Sequence, residues 1–233
     1  MKIISLPLLF YCVLVGQTNH WNESLIYNAY FGGIHIAEGQ LKISEPEVSD
    51  EKPVIQILFQ AKTISTANFI FPINDKINID INPKTWTPIS IKKVIREGKY
   101  KHDSFTQFFP EKNIFIYKND TISYVPPVHD PYSLIYLFRR KKLTPGNNFQ
   151  FNTIDGKKIT PLQFDISTIE TIRISAGEFK TIKVNPRRTD GKPFKNAGQL
   201  TIWYSIKNND KIPVKINIKL KFGSLNLELQ TIY

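Results

Sequence analysis

The sequence predicts a mainly β protein built from a single large, strongly curved antiparallel sheet, an open or half barrel, with one or two short helices packed on its concave face. Polar and apolar residues alternate in many short runs, and residues 215–222 do so without error. Because successive side chains of a strand point to opposite faces, this period indicates half-buried strands. Turn pairs such as Gly32-Gly33, Asp155-Gly156 and Ala176-Gly177 separate the runs and indicate successive antiparallel hairpins.

Isoleucine, phenylalanine and tyrosine fill the alternating runs, as pleated, half-buried surfaces favour. The acidic and polar segment 45–53 between two of them is typical of a hairpin loop, and Phe222-Gly223-Ser224 of a tight turn. The predicted strands are 25–31, 34–43, 54–64, 89–96, 104–109, 113–118, 149–154, 158–168, 172–176, 178–184, 199–205, 215–222 and 224–229.

One segment, residues 131–142, carries a full set of helix signals. Asp130 is a suitable N-cap and Pro131 suits the first helical position. An apolar stripe follows, and the basic residues 139–142 complement the dipole at the C-terminal end. Thr144-Pro145-Gly146 then ends the helix. A second helical turn is predicted near residues 66–71.

The N-terminus is predicted to be a secretory signal peptide over residues 1–18, followed by a single β domain over residues 19–233. Lys2 precedes a mostly apolar run that is too short to cross a bilayer. The chain's one cysteine, Cys12, lies in this run, and Tyr11 before it does not fit a lipoprotein signal. We therefore expect a periplasmic or otherwise exported protein without disulfides.

No catalytic or metal-binding motif is present in the sequence. It lacks a nucleophile elbow, a P-loop, a zinc-protease motif and a dinucleotide fingerprint. The histidines are isolated from one another, so we expect no metal and no cofactor. Five carboxylates could in principle pair for glycan hydrolysis if the fold brought them together, namely Asp75, Asp80, Asp103, Asp130 and Asp210.

The net charge of +11 limits the kinds of partner that we expect. Only six of the 31 basic residues are arginine, the residue that makes most specific base contacts, so we expect no nucleic acid. An exported cationic surface suits anionic lipid headgroups or an acidic envelope polymer, with peripheral contact to a membrane. An AT-rich genome would also produce this abundance of lysine, and the two explanations stay open.

Several ordered landmarks resemble a bacterial family of exported proteins known only as a domain of unknown function, numbered 3108. The first two landmarks are the hairpin at 25–39 and the element at 82–88, which has Asn82 where the family has Asp. The third is the helix that bears Asp130, Pro131, Ser133, Tyr136 and Arg139. The last is a C-terminal set made of 198–205 with Trp203, 210–214 with Asp210 and Pro213, and Gly223. The family has no assigned catalytic residues. The resemblance implies kinship with the curved sheets of periplasmic lipoprotein carriers, in which helices form a lid over acyl chains.

The expected function is non-enzymatic binding of a hydrophobic or lipid-like ligand in the cell envelope, by a protein that we expect to be monomeric. The candidate ligand-binding residues are Tyr132, Tyr136, Phe138, Arg139 and Arg140, on the helix that would cover the concave sheet. Two alternatives remain, an envelope hydrolase acting on glycans and a scaffold that docks through a sheet edge. A filled space beneath the helix would exclude the first function.

Overall fold

A computed structural model describes residues 20–49, 52–68, 71–194, 198–207 and 210–233. The predicted signal peptide, with Cys12, lies outside the described residues. The strands are β1 (Ser24–Phe31), β2 (Ile34–Ile43), β3 (Glu47–Ser49), β4 (Lys52–Thr63), β5 (Asn74–Ile81), β6 (Pro88–Glu97), β7 (Tyr100–Phe109), β8 (Ile114–Tyr117), β9 (Asp120–Ser123), β10 (Asn148–Asp155), β11 (Lys158–Ile174), β12 (Gly177–Arg188), β13 (Gln199–Ser205), β14 (Pro213–Leu220) and β15 (Gly223–Ile232). The helices are α1 (Ser65–Asn68), a 3₁₀ turn (Pro110–Lys112) and α2 (Pro131–Arg140).

All the strands belong to one antiparallel, curved and open sheet. Its order is β10-β11-β12-β13-β14-β15-β1-β2-β4-β5-β6-β7-β8-β9, and β3 extends it beside β4. The chain therefore forms two meanders, β1–β9 and β10–β15, which the pairing of β15 with β1 joins. The fold class predicted from the alternating pattern is confirmed.

The two free edges of the sheet, β9 and β10, lie near each other but do not pair, so the barrel is not closed. Lys157, in the β10–β11 turn, forms an ion pair with Asp120 of β9. The segment that leads into α2 lines the gap, since the backbone N–H of His129 donates to Asn152 (2.8 Å) and that of Ile154 donates to His129 (2.9 Å). α2 thus enters the interior through the place where a barrel would close.

Because the strands are antiparallel, the connections between them lie at two opposite ends of the sheet. One end, here called the hairpin end, carries the turns β1–β2, β6–β7, β10–β11 and β14–β15 and the connections β4–β5 and β12–β13. The other, here called the anchor end, carries the start of β1, the β5–β6 and β13–β14 loops and the residues after α2. The last residues of α2 point to the anchor end, because Arg139 contacts Glu23 and Asp210 there.

The concave face holds the core, which α2 divides into two clusters. The larger cluster packs the β1–β9 meander around Ile55, Ile79 and Phe115. The smaller one packs β11–β13 against Leu134 and Phe138 of α2. Burial of these apolar side chains, each contributing about 1.5–3 kcal/mol, drives the sheet to curl around the helix.

Most predicted strands form within a few residues of their predicted bounds, with three differences. Residues 158–168 and 172–176 belong to one long strand, β11, which bends at a shift in register between Ile166 and Ile169. The loop predicted over 45–53 contains the short β3. Two strands, β5 and β9, were missing from the prediction, although Ile77, Ile79 and Ile81 alternate with polar residues in β5.

Candidate functional site: an apolar cavity beneath helix α2

Helix α2 begins where the sequence predicts. Asp130 Oδ1 accepts hydrogen bonds from the backbone N–H groups of Tyr132 (2.8 Å) and Ser133 (2.9 Å), and Ser133 Oγ donates to the Asp130 carbonyl (3.1 Å). Pro131 occupies the first turn, where its missing N–H costs nothing. The helix ends at Arg140, two residues before the predicted end, since Lys141 is extended.

Three hydrogen bonds tie α2 to both meanders of the sheet. Tyr136 Oη donates to the Leu41 carbonyl of β2 (3.3 Å), and Tyr204 Oη of β13 donates to the Ile135 carbonyl (3.1 Å). Lys211 Nζ donates to the Arg139 carbonyl (2.9 Å), which no residue of the helix could satisfy. The position of the helix is therefore fixed by directional contacts as well as by packing.

A buried ion-pair cluster holds the C-terminal end of α2 at the anchor end. The Arg139 side chain is only 1% exposed and forms a two-point contact with Glu23, one arm of which is 3.1 Å long, and a further contact with Asp210 at 3.3 Å. Burial alone would lower the pKa of Arg139, but the hydrogen bond and charge of Glu23 outweigh it and raise the pKa. His20 Nε2 lies 3.0 Å from Asp210, and burial together with Arg139 lowers its pKa.

An apolar cavity of about 350 Å³ lies between α2 and the concave face of the sheet. The helix, the sheet and the β12–β13 loop all contribute to its surface. The cavity is lined by Tyr27, Leu41, Phe59, Pro131, Tyr132, Leu134, Ile135, Phe138, Thr153, Leu162, Phe164, Pro186, Phe194, Leu200, Ile202, Tyr204, Ile216, Ile218 and Leu227. This volume lies within the range of small-molecule sites, about 300–1,000 Å³.

Three hydroxyl groups around the cavity are hydrogen-bonded within the protein. Tyr27 Oη donates to the Pro213 carbonyl (2.7 Å), Tyr204 Oη to Ile135, and Thr153 Oγ1 to the Thr160 carbonyl (2.9 Å). Burial raises the pKa of Tyr27 and of Tyr204 well above the ordinary value, so both hydroxyls stay neutral donors. An occupant therefore meets hydrocarbon and ring faces, and a cavity of this kind favours apolar ligands over water.

Several side chains that line the cavity are only partly shielded from solvent, and most of these lie on one wall. Eight lining side chains are only half-buried, and five of them lie on β13–β15 and on the loop before β13, namely Phe194, Leu200, Ile216, Ile218 and Leu227. The other three, Phe59, Tyr132 and Ile135, lie on β4 and α2, where Pro131 is exposed. Leu200 and Ile218 are direct partners across β13 and β14. Leu41 of β2 and Phe164 of β11, whose strands lie on either side of β13–β15 in the sheet, are buried.

The structure separates the predicted ligand-binding residues into two groups. Tyr132 and Phe138 line the cavity, and Tyr132 stacks on Phe59 with 4.6 Å between ring centroids. Tyr136 and Arg139 do not line it, since they make the contacts to Leu41 and Glu23. Arg140 lies with its guanidinium 5.5 Å from the Trp86 ring centre, beside a separate cleft with Lys141, Lys142 and Lys211. Binding by any of the five stays a prediction.

The remaining motif residues make contacts that support the fold. Trp203 lies between the ammonium groups of Lys183 (5.7 Å) and Lys215 (6.0 Å), and its indole N–H donates to Glu170 (2.6 Å). The carbonyl of Pro213 accepts the Tyr27 hydroxyl. Gly223 has φ 140°, which side chains rarely adopt, and it faces the Phe31 ring. Ser133 belongs to the α2 cap, and Asp210 belongs to the Arg139 cluster.

Each carboxylate considered for hydrolysis has a partner in the fold, and none lines the cavity. Asp80 accepts from Ser90 (2.7 Å) and Asp103 pairs with Arg96, while Asp130 and Asp210 make the contacts given above. Asp75 accepts the backbone N–H of Arg96 (2.8 Å) and shares a hydrogen bond with Glu97. Burial raises the pKa of both Asp75 and Glu97, and the charge of Asp75 raises that of Glu97 further.

Among the described residues, no three histidine, cysteine, aspartate or glutamate side chains are placed so that they could hold a metal ion. In this part of the chain, no helix is long and apolar enough to cross a membrane.

The binding site predicted from the sequence did not include the residues of the sheet that line the cavity. The alternation that predicts the strands also places Leu162, Phe164 and Ile202 on one face, and that periodic signal was available. It does not tell which apolar side chains touch each other and which border an unfilled space. That distinction depends on the curvature of the sheet and on the path of α2 through it.

The curved open sheet with an internal helix and an apolar cavity defines a barrel-like fold. The chain is similar to a β-barrel-like protein of the domain of unknown function DUF1849 from Brucella abortus, with a TM-score of 0.58 and 10% sequence identity over 90% of this chain and 96% of that one. Two further solved structures match less well. One is a protein from Bacteroides fragilis, described as exported and YmcC-like in fold (TM-score 0.36, 12% identity, covering 92% and 97% of the chains). The other, from Parabacteroides distasonis, is described as a lipoprotein (TM-score 0.32, 12% identity, covering 91% and 95%).

The chain belongs to the family of proteins of unknown function DUF3108, which it matches over residues 26–230. The resemblance predicted from the ordered motifs is thereby confirmed. A comparison with curated proteins finds no match.

Proposed function

We propose that the protein is an exported, non-enzymatic binding protein that holds one hydrophobic, lipid-like ligand in the cavity beneath α2. The observation that carries this proposal is the cavity itself, about 350 Å³ of space lined by apolar groups and by the hydrogen-bonded hydroxyls of Tyr27 and Tyr204. Well-packed cores leave few voids larger than a water molecule. A space of this size with an almost wholly apolar lining is therefore suited to an apolar occupant.

The chemistry of the lining selects the class of ligand. A polar or charged ligand would lose its hydration here without gaining hydrogen bonds, at a cost of several kcal/mol. An acyl chain loses only unfavourable contact with water, at about 0.8 kcal/mol for each buried CH₂ group. The rings of Phe59, Tyr132, Phe138 and Phe164 offer flat contact surfaces to such a chain.

The half-buried wall gives this ligand a route and a place for its polar end. Five of the half-buried lining residues, Phe194, Leu200, Ile216, Ile218 and Leu227, lie together on this wall, so we infer that a chain in the cavity leaves its headgroup on this side. Export rests on the apolar N-terminal segment over residues 1–18. The five carboxylates considered for hydrolysis are engaged by other groups and do not line the cavity, so the cavity favours binding over hydrolysis.

Titration of the protein with a fluorescent fatty acid tests the proposal. Wild-type protein should take up the probe saturably, one molecule per chain. Leu200→Trp adds a large ring to the half-buried cavity wall, so we expect at least about a tenfold loss of affinity, equivalent to about 1.4 kcal/mol. Unfolding followed by circular dichroism should show that this variant folds.

Ile169→Trp is the matched control, because Ile169 is an exposed aliphatic residue of β11 outside the cavity. It should bind the probe as wild type does. Equal affinity of wild type and Leu200→Trp, or the absence of saturable uptake by wild type, would overturn the proposal.

A further inference from the structure

The hairpin end of the sheet carries exposed apolar side chains on two neighbouring turns. Phe31 and Ile34 flank the Gly32-Gly33 turn and are 36% and 69% exposed, and Phe222 at the β14–β15 turn is 90% exposed. The two turns are adjacent because β15 pairs with β1. They also touch, since a Cβ on Gly223 would come within 3.0 Å of the Phe31 ring. The two tips therefore form one surface, here called the hairpin tip patch.

The charges on this surface are of one sign. Lys219 and Lys221 lie just before Phe222 in the chain and are exposed, and neither has an ion-pair partner among the described residues. Residues 31–34 carry no charge. An exposed aromatic ring beside unpaired lysines is complementary to a surface that is apolar within and negative at its boundary.

The hairpin tip patch is continuous with the open wall of the cavity. Ile218 of β14 is paired with Leu225 of β15, and Leu227 is two residues further along the same face. Ile218 and Leu227 both line the cavity. The distance from the tip to the cavity wall is thus a few residues of a single hairpin, so anything bound at the tips lies next to half-buried side chains that line the cavity.

We propose that the hairpin tip patch docks the protein on an anionic lipid bilayer, with Phe31, Ile34 and Phe222 at headgroup level and Lys219 and Lys221 against the lipid charges. This inference rests on the proposed function, because docking in this orientation presents the cavity opening to the membrane from which a lipid-like ligand would enter. Apolar tips that project from turns suit the fluid interface of a bilayer, whereas a protein partner needs a larger fitted surface.

Co-sedimentation with vesicles tests this docking. Wild-type protein, residues 19–233, should bind vesicles containing one third phosphatidylglycerol and bind pure phosphatidylcholine vesicles much less. The pair Ile34→Ser and Phe222→Ser should lower the partition coefficient at least about fivefold, and so should the pair Lys219→Gln and Lys221→Gln. Binding should weaken with salt for wild type and lose most of that dependence in the lysine variant.

Matched variants at the anchor end complete the design. Val48→Ser with Val125→Ser removes two side chains that are each 78% exposed, and Lys84→Gln with Lys112→Gln removes two exposed charges. Both control pairs should partition as wild type does. Equal partition of the tip variants and the controls, or equal binding to charged and neutral vesicles, would overturn the docking.

Uptake of the fluorescent fatty acid in solution keeps the two proposals distinguishable. The tip variants leave the cavity lining unchanged, so they should bind the probe as wild type does. If the tip variants lose vesicle binding and still bind the probe, the docking is supported. Absence of probe binding in wild type would refute the ligand site, whereas absence of vesicle binding alone would refute the docking.

Discussion

The two ends of the curved sheet are stabilised by different kinds of contact. At the anchor end, Arg139 is buried against Glu23 and Asp210, and Trp21 stacks on Trp86 with ring centroids 6.5 Å apart. At the hairpin end the turns are short, the wall of the cavity is half-buried, and aromatic side chains project into solvent. The helix is thus anchored at one end by directional contacts while the space beside it stays unfilled. A protein that must keep a cavity open benefits from such an arrangement, because packing alone would tend to collapse the helix onto the sheet.

The largest effect is expected from the anchor end. Arg139→Ala leaves Glu23 and Asp210 without their buried cation, and such a loss costs about 3–5 kcal/mol of unfolding free energy. The exposed Phe222→Ser at the hairpin end should change the unfolding free energy by less than about 0.5 kcal/mol. Urea denaturation of both variants measures the contrast.

A double variant shows whether the lost stability comes from the uncompensated charge. Arg139→Leu with Glu23→Leu removes both buried charges, so it should recover a large part of what Arg139→Ala loses. If Arg139→Ala cost less than about 1 kcal/mol, the anchoring of α2 by this cluster would be wrong.

An intermediate effect is expected where α2 begins. Asp130→Ala removes the cap of two backbone N–H groups and should cost about 1–2 kcal/mol. Asp130→Asn keeps the accepting oxygen and is uncharged. Burial raises the pKa of Asp130 although the N–H groups of Tyr132 and Ser133 oppose the shift. A raised pKa means that the folded state holds its proton more tightly, so the contribution of Asp130 to stability falls as pH rises through that pKa.

The Asn variant should therefore equal or exceed wild type in stability at pH 7, and this advantage should disappear below about pH 4. Thermal unfolding of wild type, Asp130→Asn and Asp130→Ala across this range provides the measurement. Equal destabilisation by Asn and Ala would mean that the negative charge itself stabilises the helix end.

The smallest effect concerns the paired carboxylates Asp75 and Glu97 at the hairpin end. Both have a raised pKa, so their contribution to stability is lost as pH rises through it. Asp75→Asn can still accept from Arg96 and can donate to Glu97. It should stabilise the protein above about pH 5, by less than about 1 kcal/mol because solvent screens the pair.

Differential scanning calorimetry at about pH 4 and pH 7 measures this gain. Asp103→Asn is the contrasting variant, since Arg96 lowers the pKa of Asp103 and its neutralisation should not stabilise. A melting temperature for Asp75→Asn below that of wild type at pH 7 would contradict the pairing.

The local features of the fold were predictable from the sequence because they depend on neighbouring residues. The alternation at 34–43 and 199–205 matches β2 and β13 residue for residue, and the Asp130-Pro131 start of α2 is where capping rules place it. The ligand-binding side chains on α2 were partly predictable, since an apolar stripe shows which face is inside. It could not show that Tyr136 faces packed core and Phe138 faces a cavity.

The features that could not be predicted from the sequence depend on contacts between residues far apart in the chain. Arg139 is followed by three further basic residues and has the pattern of a solvated helix end, yet it is buried because Glu23 and Asp210, 116 and 71 residues away, converge on it. The cavity wall likewise combines side chains from β11, β13, β14 and β15 with those of α2. Such convergence is set by sheet curvature, which no local period encodes.

Native mass spectrometry of the protein purified from the cell that makes it is the most direct test of ligand binding in the cavity. The spectrum should show the chain with one bound lipid-like molecule, which organic solvent removes. Leu200→Trp prepared in the same way should carry much less of it, and Ile169→Trp should carry the wild-type amount. A bare chain in all three preparations, before and after addition of excess lipid, would contradict a ligand-binding cavity beneath α2.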